Sequence, residues 1–369
     1  MGRGTKYKLW PKSTYSSREC PDNQMSSVLL TGASGFIAVH ILDQLLVKGF
    51  KVIGTVRSDS KAKFLLDKFA NPNLSFEIVP EISKPDAFDY ALKKHPEIEF
   101  VIHAAAVIPR PTSKEDFHKV YVETTVEGTM NILKSVKLHA PNVKHFVFTS
   151  SIAAVIEFQK FGGPEFHLTE ESWNKLPWEA VGDNPSLAYS YSKAEAERSA
   201  RAFMKDEDVK FTFSSICPCY VFGPQKFVEL EANTSTNSEM VLSLLDLPAD
   251  TPGPFNQHFG FFIDVRDVAK AHVLCVTDYT KFSDARLVFA VERYSTQSIL
   301  DIINDKFPEF RGKIPVGNSA DHDAFIAHAP FTVNFAKTVE STGIDFIPLE
   351  KSIDDAVKSA LKYRSLKNE

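Results

Sequence analysis

The chain has 369 residues, of which 43% are hydrophobic and 24% charged, and its formal net charge is −5. This composition is typical of a folded globular protein and excludes a disordered or fibrous chain. Nucleic-acid binding favours a basic face and a membrane span needs roughly 18 apolar residues in a row, so we expect neither partner. The four cysteines are too scattered for a disulfide framework, which predicts a cytoplasmic protein.

Residues 1–24 are basic and rich in Ser and Thr, without apolar periodicity. We expect an unstructured N-terminal extension there, with a targeting peptide as the alternative. From residue 25, short β-branched or aromatic runs alternate with longer helical patterns, which is the order of βαβ units. This order predicts an α/β fold: a doubly wound (Rossmann) parallel sheet over residues 25–224, followed over 225–369 by a smaller, mixed α/β lobe. Elements near 261–300 are expected to return to the first domain.

Periodicity predicts strands at 27–31, 51–56, 74–79, 100–103, 143–150 and 209–218. Helices are predicted between them at 35–48, 59–69, 85–94, 114–139 and 187–205. Further helices are predicted in the C-terminal lobe at 238–245, 264–276, 296–305 and 349–361. The stretch 154–185 interrupts the alternation with Gly and Pro, and we interpret it as a surface insertion near the carboxyl edge of the sheet.

The first predicted strand leads directly into a glycine-containing turn that opens an apolar helix. The residues of this turn are Gly32, Ala33, Ser34, Gly35, Phe36, Ile37 and Ala38. This context is typical of a dinucleotide pyrophosphate site, because backbone N–H groups and the helix dipole face the anion. Gly32 permits a tight turn, Gly35 lets the backbone approach the phosphates, and the small Ala38 lets the helix pack closely on the strand. The alternative is a strand-to-helix turn that holds no ligand.

Two cations follow the second predicted strand: Arg57 comes directly after it and Lys61 four residues later. A dinucleotide fold that prefers NAD places an acidic residue here for the ribose 2′-hydroxyl. Arg instead binds a 2′-phosphate bidentately and stacks on adenine, while Lys adds a point charge. We therefore predict NADPH as the cofactor, with a solvated basic patch as the alternative.

A tyrosine followed by a lysine four residues later places a phenol and an ammonium on one helix face. This spacing occurs three times in the chain, at Tyr90/Lys94, Tyr189/Lys193 and Tyr363/Lys367. Only the middle pair follows an apolar strand that ends in hydroxyl side chains, at Thr149-Ser150-Ser151. In a doubly wound sheet such strand ends lie where the ligand binds.

Reduction of a carbonyl group needs an acid for the developing alkoxide and a donor that orients the carbonyl oxygen. We assign Tyr189 as the acid and Ser151 as the orienting donor. Lys193 is expected to lower the pKa of Tyr189 and to hold the nicotinamide ribose. Tyr191 faces another side of the predicted helix and is excluded.

From about residue 26 to 363 the chain resembles the extended short-chain dehydrogenases/reductases, in the dihydroflavonol-reductase-like branch. Within that branch it is similar to yeast NADPH-dependent methylglyoxal/isovaleraldehyde reductases and fungal ketoreductases. The motifs that carry the resemblance are GASGFIA at 32–38, VIGTVRS at 52–58, EIVPEIS at 77–83, YVFGPQ at 220–225 and IDVRDVAKAH at 263–272.

The resemblance implies that Ser151, Tyr189 and Lys193 are the catalytic residues. It also implies that Arg57 and Lys61 bind the 2′-phosphate. It adds cofactor contacts at Glu81 and Ile82 beside the adenine, Ala104 to Ala106 under the nicotinamide ribose, and Pro218 and Val221 at the nicotinamide. Glu81 departs from the family, which has Asp there. The implied substrate contacts are Ile108, Ile152 and Tyr220. The two isoleucines replace aromatic residues of the methylglyoxal reductases, which predicts a wider pocket.

We therefore expect a monomeric or homodimeric carbonyl reductase that uses NADPH to reduce aldehydes or ketones, with the C-terminal lobe binding the substrate. The alternatives are a non-catalytic NADPH-binding sensor or scaffold, and a hydroxysteroid-type dehydrogenase or thioester reductase on the same fold. Asp264, Asp267 and His272 have the spacing of no standard metal site, and we interpret them as solvated charges on a capped helix. His103 ends a buried strand, where a hydrogen-bonded structural role is expected.

Overall fold

The computed structural model describes residues 25–106, 115–157, 167–233, 236–255, 259–327 and 332–368. The expected N-terminal extension at 1–24 and the implied substrate contact Ile108 lie outside these residues. The first elements are β1 (Ser27–Thr31), α1 (Phe36–Val47), β2 (Lys51–Val56), α2 (Asp59–Phe69), β3 (Leu74–Ile78), α3 (Asp89–Lys94), β4 (Ile98–His103), α4 (Thr124–His139), β5 (His145–Thr149), β6 (His167–Leu168), α5 (Pro185–Phe203) and β7 (Thr212–Pro218). They are followed by β8 (Tyr220–Phe222), α6 (Thr236–Leu244), β9 (Phe259–Asp264), α7 (Val265–Thr277), β10 (Arg286–Phe289), β11 (Glu292–Ser295), α8 (Thr296–Lys306), α9 (Ser319–Ala327), β12 (Thr332–Val333), α10 (Ala336–Thr342) and α11 (Leu349–Asn368).

Strands β10, β7, β5, β4, β1, β2 and β3 lie side by side in this order and form a parallel sheet. All six strands predicted from the sequence belong to it, and the doubly wound α/β class is confirmed. The edge strand β10 is not predicted, because its apolar run is too short to show a period. The strand order reverses between β1 and β4, so a crevice opens at the carboxyl ends of these two strands.

Helices cover both faces of this sheet. Val28 and Leu30 of β1 belong to the core layer of α1 and α7, whereas Leu29 belongs to the layer that contains Ile132 and Leu133 of α4. All three β1 side chains are fully buried. Burial on both faces explains why the strands read as nearly continuous apolar runs in the sequence.

Strands β8, β9 and β11 form a second sheet, in which β9 pairs parallel with β8 and antiparallel with β11. Phe222, Phe262 and Tyr294 from these strands are buried in one cluster with side chains of α8 and α11. Strand β9 runs directly into α7, which packs against α1 of the larger sheet. The two sheets are thus joined through α7. Among the described residues, no helix combines the length and the hydropathy that crossing a membrane requires.

The interpretation of residues 154–185 as a surface insertion is only partly right for the residues that the structure describes, because exposed positions alternate with buried ones. Leu168 and Asn174 are buried, and β6 pairs with the distant strand β12. The Asn174 side chain donates a hydrogen bond to the Ala153 carbonyl oxygen at 3.0 Å, and its backbone N–H donates to the Ala154 carbonyl oxygen at 2.9 Å. The insertion therefore supports the turn that follows β5.

From the sequence we interpret Asp264, Asp267 and His272 as solvated charges on a capped helix. Of this interpretation, only the helix cap is confirmed. The Asp264 side chain caps α7 by accepting the Arg266 backbone N–H at 2.8 Å. All three side chains are nonetheless buried, so the expectation of solvated charges is wrong. Packing of α7 between the two sheets removes them from water, and burial raises the pKa of Asp267 to about 6.

Ile353 and Leu366 provide a test of how α11 contributes to stability. Ile353 is fully buried in the cluster of the smaller sheet, whereas Leu366 is 48% exposed. We expect Ile353→Ala to lower the free energy of unfolding by about 2–5 kcal/mol, because it leaves a cavity. Leu366→Ala is the control on the same helix, with a change within about 0.5 kcal/mol. Urea unfolding measures both, and equal losses would contradict this packing.

Candidate active site

The loops after β1 and β4 touch at the crevice where the strand order reverses. Gly32 has a φ of +66°, and a Cβ atom at this position would lie 2.7 Å from Cα of Ala105. Thr31 Oγ1 accepts the Ala105 backbone N–H at 3.1 Å and lies 2.8 Å from Nδ1 of His103. Burial lowers the pKa of His103 to about 3, so its ring is neutral and structural, as expected. Glycine is required here by both the backbone conformation and the close approach.

The glycine turn leaves several backbone N–H groups available to a ligand. The N–H groups of Ala33 and Gly35 are already used, because they donate to the carbonyl oxygens of Thr55 and Gly32. Those of Ser34, Phe36 and Ile37 have no acceptor among the described residues. Gly35 precedes α1, and no side chain caps this helix end. The turn therefore presents donors at the positive end of a helix, which suits an anion.

Arg57 and Lys61 lie together beyond the end of β2. Arg57 is exposed, and Lys61 lies in the first turn of α2. Burial and the neighbouring charge of Arg57 lower the pKa of Lys61. Within the described residues, neither side chain has a carboxylate partner. Two adjacent cations without a counter-ion suit a phosphate group.

The segment after β3 is held by two α4 residues that the sequence patterns do not single out. A Cβ atom on Gly128 would lie 2.8 Å from Cδ1 of Ile82, so a larger residue there would displace this side chain. Asn131 Nδ2 donates to the carbonyl oxygens of Ile82 and Lys84, at 3.2 and 2.8 Å. Glu81 instead is exposed and pairs with Lys84 at 3.1 Å. Ile82 is thus fixed against the sheet, whereas Glu81 faces the solvent.

Ser151 and Tyr189 meet at the carboxyl end of β5. Ser151 precedes a short 3₁₀ turn at Ile152–Ala154, and its Oγ accepts the Ala153 N–H at 3.1 Å. Tyr189 lies on α5 and faces the Ser151 side chain. Burial raises the pKa of Tyr189, and the nearby Ser151 hydroxyl only partly opposes this. Burial therefore dominates the pKa of Tyr189, and the lowering expected from Lys193 stays a prediction.

Lys193 lies one helical turn beyond Tyr189 and is almost completely buried. Its Nζ donates to the Thr149 carbonyl oxygen at 2.8 Å and lies 5.0 Å from the centroid of the Phe148 ring. Burial lowers the pKa of the ammonium to about 8. Thr149 is in turn held by His272, whose Nε2 lies 2.9 Å from Thr149 Oγ1. The cation is therefore anchored at the end of the same strand that leads to Ser151.

The other two tyrosine–lysine pairs lack such surroundings. Tyr90 is 68% exposed, and the Lys94 ammonium lies over its ring. Tyr363 lies near the end of α11, where Lys367 stacks on it in the same way. The structure thus brings Ser151, Tyr189 and Lys193 together and leaves the competing pairs on single helices.

The implied substrate and nicotinamide contacts lie around this end of the crevice. Ile152 directly follows Ser151 and packs against buried residues of the main core. Tyr220 is 42% exposed, and its ring meets that of Tyr294 edge-on at 5.3 Å between centroids. Pro218 ends β7 and Val221 lies in β8, and both are buried. Ala104 is half-buried after β4 and Ala106 is exposed.

Gly260 and Tyr294 support Tyr220 and are not singled out by the sequence patterns. A Cβ atom on Gly260 would lie 3.1 Å from the Tyr220 ring. These partners come from β9 and β11, and only the assembled second sheet brings them beside β8.

Comparison with known proteins agrees with the fold and with this crevice. Residues 28–287 match the NAD dependent epimerase/dehydratase family, and the chain belongs to this family. It is 41% identical over 338 residues to the putative NADPH-dependent methylglyoxal reductase GRP2 of Candida albicans, a match that covers 90% of this chain and 97% of that protein. It is 39% identical to the NADPH-dependent methylglyoxal reductase GRE2 of Saccharomyces cerevisiae, with 91% and 98% covered.

Among solved structures, the chain is similar to yeast methylglyoxal/isovaleraldehyde reductase Gre2 complexed with NADPH. The TM-score is 0.85 at 38% identity, and the match covers 92% of this chain and 99% of that chain. The resemblance stated from the sequence motifs is confirmed.

Gly32 and Gly49 test the close approach at the crevice. Both have positive φ, but a Cβ atom on Gly49 would meet nothing within 4 Å. We expect Gly49→Ala to cost about 1–2 kcal/mol from the left-handed backbone alone. Gly32→Ala should cost clearly more, because its Cβ also collides with the Ala105 backbone. Urea unfolding compares the two variants, and a Gly32→Ala loss no larger than that of Gly49→Ala would refute the collision.

Proposed function

We propose that the chain is an NADPH-dependent carbonyl reductase that reduces an aldehyde or ketone to the alcohol, with Tyr189 as the proton donor. The observation that carries the proposal is the joint placement of Ser151, Tyr189 and Lys193 at the end of β5, beside the crevice. The similarity to NADPH-dependent methylglyoxal reductases over nine-tenths of the chain supports it.

We also propose a cytoplasmic location, since the described cysteines are free, buried thiols.

We propose that a phosphorylated dinucleotide lies along this crevice. The turn 32–37 would hold the pyrophosphate, Arg57 and Lys61 the 2′-phosphate, and Ile82 the adenine, with Glu81 as a weaker contact. Lys193 and Tyr189 would hold the nicotinamide ribose above Ala104 to Ala106, and Pro218 and Val221 would contact the nicotinamide. The uncapped helix and the unpaired cations are the features that fit. When bound, NADPH supplies the hydride.

The catalytic residues divide the remaining chemistry among them. Ser151 accepts the Ala153 N–H, so its own hydroxyl hydrogen is free to orient the substrate oxygen. Tyr189 is protonated at neutral pH because burial raises its pKa, and it can donate its proton to the developing alkoxide. Lys193 carries its charge below its pKa of about 8 and would stabilise the phenolate that remains. Above that pH the ammonium is lost, so reduction should slow.

We propose methylglyoxal- or isovaleraldehyde-like carbonyl compounds and bulkier ketones as substrates. Ile152 stands directly after Ser151, and its side chain is smaller than the aromatic ring of the methylglyoxal reductases. Tyr220, whose ring packs edge-on against Tyr294, would line the substrate side. A loss of bulk near the reacting carbon changes which substrate fits and leaves the reaction itself unchanged.

The test measures the oxidation of NADPH through the loss of its near-ultraviolet absorbance. The substrates are methylglyoxal, isovaleraldehyde, diketones and aryl ketones. Each substrate is run with NADPH and with NADH. We expect turnover of several substrates and a preference for NADPH. Tight NADPH binding without oxidation across the whole panel would refute the reductase and favour a binding protein.

Tyr189→Phe tests the proton donor. We expect kcat to fall by about 10²–10⁴-fold, the range for loss of a general acid, with NADPH binding retained. Tyr191→Phe is the matched control, because Tyr191 packs against Trp178 on another side of α5. It should keep nearly full activity. Equal activity of the two variants would remove Tyr189 from the mechanism.

Arg57→Ala and Lys61→Ala test the choice of cofactor. Each removes a charge-assisted contact worth about 1.5–3 kcal/mol, so KM for NADPH should rise about ten- to a hundredfold, while KM for NADH stays nearly constant. Lys63→Ala is the control on the same helix, because Lys63 pairs with Asp67 at 3.1 Å and is exposed. Parallel rises for NADPH and NADH would argue against a 2′-phosphate site.

A further inference from the structure

Glu197 is a fully buried carboxylate one helical turn beyond Lys193, and the reaction described above does not use it. Ser150 Oγ donates to its Oε2 at 2.6 Å, and Ser215 Oγ donates to its Oε1 at 2.7 Å. Arg286 Nε and Arg201 Nε donate to Oε1 at 2.7 and 3.3 Å. A buried charge is tolerated only when it is paired and hydrogen-bonded in this way. Although burial opposes ionisation, Arg286 and the other partners lower the pKa of Glu197 to about 2.

Arg286 extends these contacts to the loops around the site. Its guanidinium donates to the carbonyl oxygens of Ala154, Glu170 and Ser172 and lies 3.8 Å from the Trp173 ring centroid. The first of these carbonyls belongs to the turn after Ser151, and the other two belong to the insertion. Glu197 and Arg286 therefore join α5, the end of β5 and the insertion around one buried ion pair.

Titratable groups from several elements surround the Lys193 ammonium. His103 from β4 and Cys217 from β7 face it, with Glu197 on its own helix, while His272 lies behind Thr149. Burial lowers the pKa of His103 to about 3 and that of His272 to about 4, and it raises the pKa of Cys217 to about 12. These three groups are neutral at pH 7. Glu197 is therefore the charged group that acts on Lys193 among the described residues, and it is itself paired with Arg286 and Arg201.

We propose that Glu197 is a positioning residue of this active site. Through Ser150 its carboxylate holds the strand end that carries Ser151. Its charge also acts on the Lys193 ammonium one helical turn away, while it is itself paired with the Arg286 and Arg201 guanidinium groups. The inference rests on the proposed function, because it assigns Glu197 to the same catalytic set.

The carboxylate has a predictable effect on Lys193. Without it, the charges of Arg286 and Arg201 are no longer compensated and act on the ammonium from a low-dielectric interior. Like charge disfavours the protonated form, so the pKa of Lys193 should fall. The alkaline decline of kcat should then move to lower pH. A role in packing alone would lower kcat equally at every pH.

Glu197→Gln tests this, because it removes the charge and nearly keeps the shape. Carbon-13 NMR of the protein with lysine labelled at Cε gives the pKa of Lys193 from its chemical shift, with Lys193→Met as the assignment control. We expect a midpoint near 8 in the wild type and a fall of at least about one pH unit in Glu197→Gln, as for loss of a nearby opposite charge. An unchanged midpoint would overturn the electrostatic part of the proposal.

Ser150→Ala tests the mechanical part and avoids the risk that a buried charge substitution prevents folding. We expect kcat to fall about tenfold, since displacement of a catalytic group by a fraction of an ångström is costly, with KM for NADPH within about twofold. Ser135→Ala is the matched control: Ser135 is buried and donates to an Asp89 carboxylate oxygen at 2.7 Å, but it lies on α4. Similar kcat values for the two serine variants would overturn this part.

The two proposals fail in different ways. If the wild type oxidises no NADPH with any carbonyl compound, the proposed function is wrong. The titration of Lys193 needs no substrate and still decides whether Glu197 maintains its charge.

Discussion

The Lys193 ammonium is buried, and its hydrogen bond to the Thr149 carbonyl oxygen ties α5 to the end of β5. Burial disfavours this charge, so the surroundings must hold it in place. Thr149 is held by His272 from α7, and Glu197 supplies the negative charge one turn away. Tyr189 precedes Lys193 by one turn of α5, so the position of the phenol follows from the position of the ammonium.

The second constraint is the contact between the loops after β1 and β4. Reversal of the strand order brings these loops together, and the missing side chain of Gly32 lets them touch. The proposed pyrophosphate site and the proposed catalytic residues at the end of β5 then lie along one edge of a parallel sheet. The second sheet is joined to this edge through α7 and supplies Tyr220 and Val221. In the proposed function the larger sheet would hold the cofactor, and the second sheet would complete the substrate side.

Local features of this site can be predicted from the sequence. The turn at Gly32 and the cations at Arg57 and Lys61 each occupy a few consecutive residues beside a strand, so their spacing carries the information. The choice of Tyr189 over the two competing tyrosines needed only the hydroxyls at the end of the preceding strand. In the structure Tyr90 is 68% exposed and Tyr363 lies near the end of α11, so neither has the surroundings of Tyr189.

Features that depend on distant partners could not be predicted. Arg286 meets Glu197 across 89 residues of sequence, and Gly128 makes room for Ile82 of another loop. The sequence pattern indicates a solvated helix face at Asp264, Asp267 and His272. In the structure, packing of α7 between the two sheets buries these side chains. Burial of charged groups is set by tertiary packing, and a single sequence carries little trace of it.

Direct transfer of hydride to a carbonyl carbon is the central claim, and isotope transfer tests it most directly. NADPH carrying deuterium at the transferred position of nicotinamide C4 is incubated with the protein and isovaleraldehyde, and the alcohol is analysed by mass spectrometry and NMR. We predict one deuterium on the carbinol carbon. An alcohol without deuterium at that carbon, or no alcohol from any carbonyl compound tested, would contradict the account.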